Sequence, residues 1–513
     1  MPLSPFNNDN CYHYYIISFP FVNRFFKFFL KNSLNSASVA TFLSKDLDSA
    51  IGVEFIIDKN RSKEAIIMER NLTTGSVFKN VIFFSLPYLL SYFLQTLYGM
   101  ADLFIIGQFD GTAATTAVSI GSQVMHMLTV MIVGLAMGTT VSVGQAVGGS
   151  DRKRAAKCVG NTVTLFFGVS VALTAVLLLL VRPIVSVMST PAEAVNGTID
   201  YLTVCFIGIP FITAYNIISS VFRGMGDSKS PMYFIAVACA ANIALDYLFM
   251  GALNLGPAGA ALGTTLSQAI SVIISLAVIV KRGEIKLSRS DLRPQSVVMG
   301  QLLKIGVPVA LQDGLIQVGF IVITIIANNR GLTDAAAVGI VEKVISFLFL
   351  VPSSMLSTVS ALGAQNIGAN KPERAEQTLR YGILLAFGFG VIVSVIIQFI
   401  AEPVVGLFNK DSAVITAGGQ YLRGYILDCA MAGIHFCFSG YFCACGRSGL
   451  SFLHNVLSLT LARVPGAYLM SKFFPATLFP MGLATAVGSL MSVIVCVIAF
   501  AVMKHRSKIK TEA

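Results

Sequence analysis

The sequence predicts an all-α membrane protein in which twelve transmembrane helices form two six-helix lobes related by a pseudo-twofold axis along the membrane normal. The first observation is composition: of 513 residues, 55% are hydrophobic and 12% are charged, with a mean hydropathy of +0.76. Soluble domains carry roughly 25% charged residues. The second is a series of apolar runs longer than about 18 residues, each able to cross a hydrocarbon layer of about 30 Å. The third is an internal repeat.

The second half of the chain repeats the first at a nearly constant offset in residue number. The offset is 220 at Gln145 and Gln365 (365 − 145) and 221 at Pro87 and Pro308 (308 − 87). Further pairs at the first of these offsets, first-half member first, are Gly148 and Gly368, Gly111 and Gly331, and Ser219 and Ser439. Self-similarity at a fixed long period in an apolar chain indicates a transporter built from two like halves.

The twelve predicted spans all lie after Met68. They are roughly 81–106, 114–144, 155–182, 201–222, 232–253, 257–281, 301–328, 335–364, 376–400, 418–442, 451–473 and 480–503. Six spans fall in each half, and the repeat maps the first span onto the seventh. Because six is even, both halves enter the membrane from the same side, which places the pseudo-twofold axis along the membrane normal.

The spans divide the chain into segments, in order 1–67, 68–285, 286–300 and 301–513: an N-terminal extension, the first lobe, a cytoplasmic linker, and the second lobe with a basic tail. The extension has no partner in the repeat, and Arg24 and Lys27 interrupt its apolar stretch, which makes it a poor spanning helix. We expect it to be dispensable or not translated. The alternative is an amphipathic helix at the membrane interface.

The distribution of basic residues predicts the orientation. One set of loops and the C-terminal tail carry most of them, whereas the other set carries only Arg182, Arg330, Lys410, Arg423 and Lys472. Because cytoplasmic loops are enriched in Lys and Arg, both ends of the core are expected in the cytoplasm, with the protein in the cell membrane. The same distribution accounts for the net charge of +11 without a nucleic-acid partner.

Acidic residues within the predicted spans are the first functional candidates, because charge in a membrane is costly. Asp102 lies on span one, beyond Pro87, and Asp246 lies on span five at the same distance in sequence beyond Pro231 (102 − 87 = 246 − 231). At about 1.5 Å per residue, both carboxyls reach roughly 22 Å into the membrane, in its outer half.

Asn242 and Thr264 are predicted at the same depth. Asn242 precedes Asp246 by one helical turn on the same face, and Thr264 lies about 10 Å below the outer end of span six. Two carboxylates, an amide and a hydroxyl suit a small cation such as Na+, or proton exchange. The alternative is that each Asp only hydrogen-bonds a neighbouring helix. The second lobe does not repeat the acids, since Asp102 aligns with Ile323.

The second lobe has acids of its own. Asp313 and Asp428 are candidates for cation coupling or substrate binding, with polar packing as an equal alternative. Arg463 is expected to satisfy carbonyls or a carboxylate. Pro87 and Pro308 lie near the start of the matching first helix of each half, where bending would gate access.

The sequence carries no Walker loop and no dinucleotide-type glycine loop after a strand, so neither ATP hydrolysis nor an enzyme cofactor is expected. No nucleophile–base constellation is found at one depth. The nine Cys lie mostly in apolar runs and do not indicate a disulfide framework. The protein is therefore predicted not to be an enzyme.

The chain resembles the multidrug and toxic compound extrusion family over 68 to about 510. The features that carry the resemblance are Pro87 with Asp102, Asn242 with Asp246, and the segments that begin at Gln145, Phe222 and Pro257. The resemblance implies antiport, in which inward flow of Na+ or H+ drives export of cationic amphipathic compounds by alternating access. It implies a cation site of Asp102, Asn242, Asp246 and Thr264 with Tyr201 nearby, and a monomer suffices.

Other functions remain open from the residues alone. A flippase for a lipid-linked oligosaccharide or precursor would need a cationic cavity, and only Lys343 and Arg463 are obvious within the spans. A membrane-embedded enzyme would need a nucleophile–base or metal constellation at one depth, and none is found. Two asymmetric lobes disfavour a passive channel.

Overall fold

The computed structural model describes residues 72–283 and 287–512. The predictions made for residues 1–67 therefore lie outside the described residues. Helices of the first half are α1 Val77–Phe109, α2 Thr112–Gly148, α3 Arg152–Val187, α4 Val195–Ile207, α5 Ile209–Gly224, α6 Lys229–Asp246 and α7 Gly256–Arg282. Those of the second half are α8 Ser296–Asn328, α9 Leu332–Leu348, α10 Leu350–Gly368, α11 Pro372–Gly406, α12 Ser412–Tyr425, α13 Leu427–Ala444, α14 Ser448–Ser458, α15 Val464–Phe473 and α16 Phe479–Glu512.

These helices form the twelve predicted membrane segments in the predicted order. In the described part of the chain, ten helices are long and apolar enough to cross a membrane alone. A further segment is broken, because Ala192–Ile207 and Ile209–Gly224 meet at an angle of 48°. The prediction of an all-α membrane protein is confirmed, and every helical segment extends beyond its predicted span at one end or both.

The fifth and eleventh segments, which the repeat relates, each contain a π-helical turn, but at positions that the repeat does not align. A π-helical turn, Tyr247–Ala252, follows directly on α6. A second, Leu459–Arg463, separates α14 from α15 in the predicted eleventh span. Because π-turns in helices are frequent at functional sites, both turns direct attention to the polar residues beside them.

The two lobes meet along α2, which packs against α8 and α10 of the second half. Glycines allow the backbones to approach closely. A Cβ on Gly148 would collide with the carbonyl oxygen of Gln365, and a Cβ on Gly368 would collide with that of Gln145. The repeated residues that reveal the internal duplication therefore lie opposite each other, one from each lobe.

The same glutamines also tie each lobe to the end of a helix in the other. Gln145 donates from Nε2 to the carbonyl of Ala444 at 2.9 Å, and Gln365 donates to that of Gly224 at 2.9 Å. These contacts lie at the end of the bundle formed by loops 149–151, 225–228, 369–371 and 445–447, which we call the basic end. The lobes are therefore joined by matching hydrogen bonds at this end.

Toward the other end, formed by loops 110–111, 253–255, 329–331 and 474–478, the facing residues are exposed. Gln123 of α2 and its counterpart Lys343 of α9 (343 − 123 = 220) are both exposed, as is His126. His126 and Lys343 are close enough to interact electrostatically across the lobes. We call this end of the bundle the opposite end.

Candidate functional site

The four first-lobe residues predicted to form a polar site lie together in the structure. Thr264 of α7 donates from Oγ1 to Oδ2 of Asp102 on α1 at 3.0 Å. Asn242 donates from Nδ2 to Oδ1 of Asp246, one turn further along α6, at 3.4 Å. The carboxyls of Asp102 and Asp246 are close enough to interact electrostatically. Three helices thus bring two carboxyls, an amide and a hydroxyl to one place.

This cluster is almost sealed from solvent. Asp102 is 2% exposed, and Asn242 and Asp246 are fully buried. Tyr201, also 2% exposed, is close enough to interact electrostatically with both carboxyls. Among the residues that the structure describes, neither carboxyl forms an ion pair with Lys or Arg. This first-lobe cluster therefore holds two acidic side chains that no described Lys or Arg side chain neutralises.

Several oxygens of this cluster are buried without a hydrogen-bond partner. They are Oδ1 of Asp102, Oδ1 of Asn242 and Oδ2 of Asp246. Buried polar atoms in native proteins are nearly always satisfied, and an orphaned one calls for an explanation such as an ion. Carboxylate and amide oxygens are ligands that hard cations prefer, so a small cation or protons on the carboxyls would satisfy these atoms.

Asp102 and Thr264 lie at similar distances from the opposite end of the bundle. Asp102 lies two helical turns before the end of α1 at Phe109, and Thr264 lies a similar distance after the start of α7 at Gly256. At about 1.5 Å per residue, both are roughly 10 Å from the opposite end. Asp246 lies immediately before the π-turn.

Two glycines make room for the site. A Cβ on Gly263 would collide with Oδ1 of Asp246, so this position on α7 admits only hydrogen beside the carboxyl. A Cβ on Gly121 of α2 would collide with the ring of Tyr201. The site is therefore shaped by backbone approach as well as by its polar side chains.

One neighbouring residue was not predicted from the sequence. Gln268 follows Thr264 by one helical turn on α7, is 3% exposed, and has an unpartnered Oε1. Residues four apart share a helix face, so Gln268 extends the polar face of α7 toward the membrane centre. The spacing of Thr264 and Gln268 is the signal that would have identified it.

Asp313 lies elsewhere, at the junction of the lobes. It is near the middle of α8, which runs from Ser296 to Asn328. Gln312 donates to its Oδ1 at 3.3 Å. A Cβ on Gly134 of α2 would lie 2.9 Å from its Oδ2. This acid therefore faces the other lobe rather than the interior of its own.

Asp428 is paired, in contrast to the first-lobe acids. Its carboxylate accepts from Nη2 of Arg463 at 3.1 and 3.3 Å, and its side chain is fully buried. The expectation that Arg463 satisfies a carboxylate is confirmed. The structure does not place Asp313 or Asp428 in the first-lobe cluster.

The two candidate gating prolines lie inside continuous helices. Pro87 is buried in α1, and Ser91 donates to its carbonyl at 2.7 Å. Pro308 lies in α8 shortly after Gly306, where a Cβ would collide with the carbonyl of Leu135 in α2. Pro308 therefore lies close to the lobe interface.

Comparisons with known proteins agree with the repeat. A family model described as MatE matches the chain twice, at residues 87–248 and 308–469. The offset between the two matches is the same at their first and last positions (308 − 87 = 469 − 248). The family model thus recognises each half of the chain separately.

Curated relatives and solved structures match nearly the whole core. The "Probable multidrug resistance protein YpnP" of Bacillus subtilis is 28% identical over 82% of this chain and 93% of its own. The "Probable multidrug resistance protein NorM" of Thermotoga maritima is 27% identical over 77% of this chain and 86% of its own. The "Crystal structure of MATE in complex with MaL6" superposes with a TM-score of 0.80 at 21% identity, covering 87% of this chain and 100% of that one.

Proposed function

Because the chain belongs to the MatE family, we propose that it is a multidrug efflux antiporter, which exports cationic amphipathic compounds in exchange for Na+ or H+. The observation that carries the proposal is the buried first-lobe pair Asp102 and Asp246 with unpartnered carboxyl oxygens. The names of the relatives, which are multidrug resistance proteins, support the class of substrate.

The orientation completes the proposal. With the basic end in the cytoplasm, as the distribution of Lys and Arg favours, the opposite end faces the exterior of the cell. The carboxyl pair then lies in the outer half of the membrane, where it can take up external cations. The hydrogen bonds of Gln145 and Gln365 close the cytoplasmic side. Both core termini are cytoplasmic, and a single chain holds every part that this scheme uses.

In this cycle, the coupling cation binds among Asp102, Asn242, Asp246 and Thr264, and Tyr201 helps to exclude water. Two buried carboxylates close together repel each other, so the arrangement of α1, α6 and α7 differs between the loaded and the empty site. Bending of α1 at Pro87 and of α8 at Pro308 would transmit that difference to the lobe interface. The cation leaves to the cytoplasm once the lobes have exchanged access.

Asp313 is the residue we assign to the exported compound. It lies at mid-depth on the surface of α8 that faces α2, and the thioether of Met131 lies near Gly314, the next residue. A carboxylate beside a polarizable thioether suits a ligand that is both cationic and apolar. The exported compound thus binds at Asp313 in the second lobe, whereas the coupling ion binds at Asp102 and Asp246 in the first lobe.

The test of the function is export of ethidium from proteoliposomes under imposed Na+ or pH gradients. We expect dye movement driven by one gradient, which also identifies the ion. Dye movement under neither gradient would contradict the proposal. A flippase for a lipid-linked precursor would then be tested by translocation of a fluorescent lipid.

Asp313→Asn is expected to weaken binding of cationic dyes about ten- to a hundredfold, because a hydrogen-bonded charge contributes roughly 1.5–3 kcal/mol. Binding of the coupling ion should stay unchanged. Fluorescence titration of ethidium against the purified variant gives the first quantity, and ion-dependent thermal unfolding gives the second. Equal dye affinity in variant and wild type would remove Asp313 from the substrate site.

A further inference from the structure

The second lobe contains a buried ion pair that has no counterpart in the first. Asp428 of α13 is bound by Arg463, the last residue of the second π-turn, at 3.1 Å. Arg463 also donates to the hydroxyl of Ser489 on α16. The side chain of Arg463 is 14% exposed and that of Asp428 is fully buried. Three elements of the lobe therefore meet at one guanidinium.

The repeat places this ion pair where the first lobe has its carboxyl pair. Arg463 lines a cavity of about 20 Å³ together with Ile323 and Tyr425. Ile323 aligns with Asp102 (323 − 102 = 221), and Tyr425 aligns with Cys205 (425 − 205 = 220). Asp102 and Cys205 themselves interact electrostatically in the first lobe. The cavity is thus the second-lobe equivalent of the first-lobe site.

In the second lobe, α16 corresponds to α7, the helix that carries Thr264 in the first lobe. Its residues leave room for the guanidinium of Arg463. Near the end of the repeat the offset is 223, as between Pro257 and Pro480 (480 − 257), so Thr264 aligns with Val487 (487 − 264) and the hydroxyl ligand is absent. The next residue is Gly488, where a Cβ would collide with Cγ of Arg463. Ser458 donates to the carbonyl of Gly488 at 2.6 Å, which holds α16 against the end of α14.

The charge balance of the two places differs. The first-lobe site holds two acids and no fixed cation, whereas the second-lobe site holds one acid and one guanidinium. We propose that Arg463 is a covalently attached counter-cation for Asp428. It takes the role that an exchangeable cation has beside the carboxyl pair of the first lobe. Asp428 is then permanently neutralised, and coupling ions bind in the first lobe alone. This inference deepens the proposed antiport and rests on it for the exchangeable ion.

Other groups that face the pair do not replace Arg463 as the partner of Asp428. Tyr421 and Tyr425 approach from α12, and His435 of α13 contacts Ser489 through Nε2 at 3.2 Å. His454 of α14 is bound to Ser439 at 2.8 Å.

Glu342 of α9 is the remaining acid near these groups. It accepts from Thr324 at 3.3 Å and lies beside Lys343. Because Arg463 is part of the chain, it stays beside Asp428 and does not exchange with ions on either side of the membrane.

The test is thermal unfolding of the purified full chain at increasing Na+, and separately at decreasing pH, with a dye that fluoresces on reaction with the buried cysteines. With native Arg463, Asp102→Asn is expected to lose the whole cation-dependent rise of the unfolding midpoint. Arg463→Met should gain a new cation-dependent rise, because Asp428 is left buried and unpaired. This new rise of the unfolding midpoint should persist in the double variant Arg463→Met with Asp102→Asn. It should disappear in the double variant Arg463→Met with Asp428→Asn.

The double variant Arg463→Met with Asp428→Asn is the matched control, since it removes both charges together. It should unfold close to the wild-type midpoint at every cation concentration, and it remains measurable if Arg463→Met alone does not fold. A cation response that survives Asp102→Asn and is removed by Asp428→Asn would overturn the proposal. A wild type without any cation response would refute the antiport, while the gain in Arg463→Met would still decide the role of Arg463.

Discussion

Asp102→Asn and Asp246→Asn are each expected to reduce gradient-driven export about ten- to a hundredfold while the protein remains folded. Each change keeps the size of the side chain but removes a charge from a buried site in which one oxygen of each carboxyl has no hydrogen-bond partner. A hydrogen bond to a charged group contributes roughly 1.5–3 kcal/mol, which corresponds to that loss of ion affinity. Initial rates of dye export from proteoliposomes measure the effect, and circular dichroism confirms the fold.

Two further variants distinguish an effect of this site from a general effect of removing an acidic residue. Glu193→Gln removes an exposed acid and should export at the wild-type rate. Gly263→Ala changes no charge, but its Cβ would displace the carboxyl of Asp246, so ion affinity should fall without loss of either acid. Export that persists in Asp102→Asn and in Asp246→Asn would move the coupling site away from the first lobe.

Gly148→Ala and Gly368→Ala are expected to slow export about tenfold or more by opening the basic end. In each case the new Cβ meets a backbone carbonyl of the other lobe, which cannot rotate away as a side chain can. Overpacking of this kind costs roughly 1–3 kcal/mol, and the cost falls on the state in which the lobes touch. The equilibrium should therefore shift toward the state in which they separate.

Labelling of Cys445 reports this shift directly, because the residue is half-buried and follows Ala444, the acceptor from Gln145. Its modification rate, read by mass spectrometry, should rise in both variants. Gly449→Ala, which adds a Cβ into open space near the same end, is the control and should label at the wild-type rate. Unchanged labelling in Gly148→Ala and Gly368→Ala would show that these glycines do not govern closure.

The first-lobe site was predictable because its residues are fixed by local rules. Asn242 and Asp246 share a face because they are one helical turn apart, and the prolines fix the depth of Asp102 on its helix. The ion pair between Asp428 and Arg463 joins residues 35 apart in the chain. Depth alone does not say which way each helix is rotated. From the sequence Arg463 could therefore pair with carbonyls or with a carboxylate, and the structure shows it bound to Asp428 and Ser489.

The sequence by itself determined the membrane class, the twelve segments and the duplication, because hydrophobic length and repeat spacing are properties of the chain. It also predicted that the two carboxyls lie at one depth, from their equal distances beyond Pro87 and Pro231. Only the tertiary structure decided that the repeated Gln145 and Gln365 close one end of the lobe interface, and that Asp313 faces the other lobe. Helix rotation, the break between α4 and α5, and the approach of one lobe to the other depend on long-range packing, which no local pattern encodes.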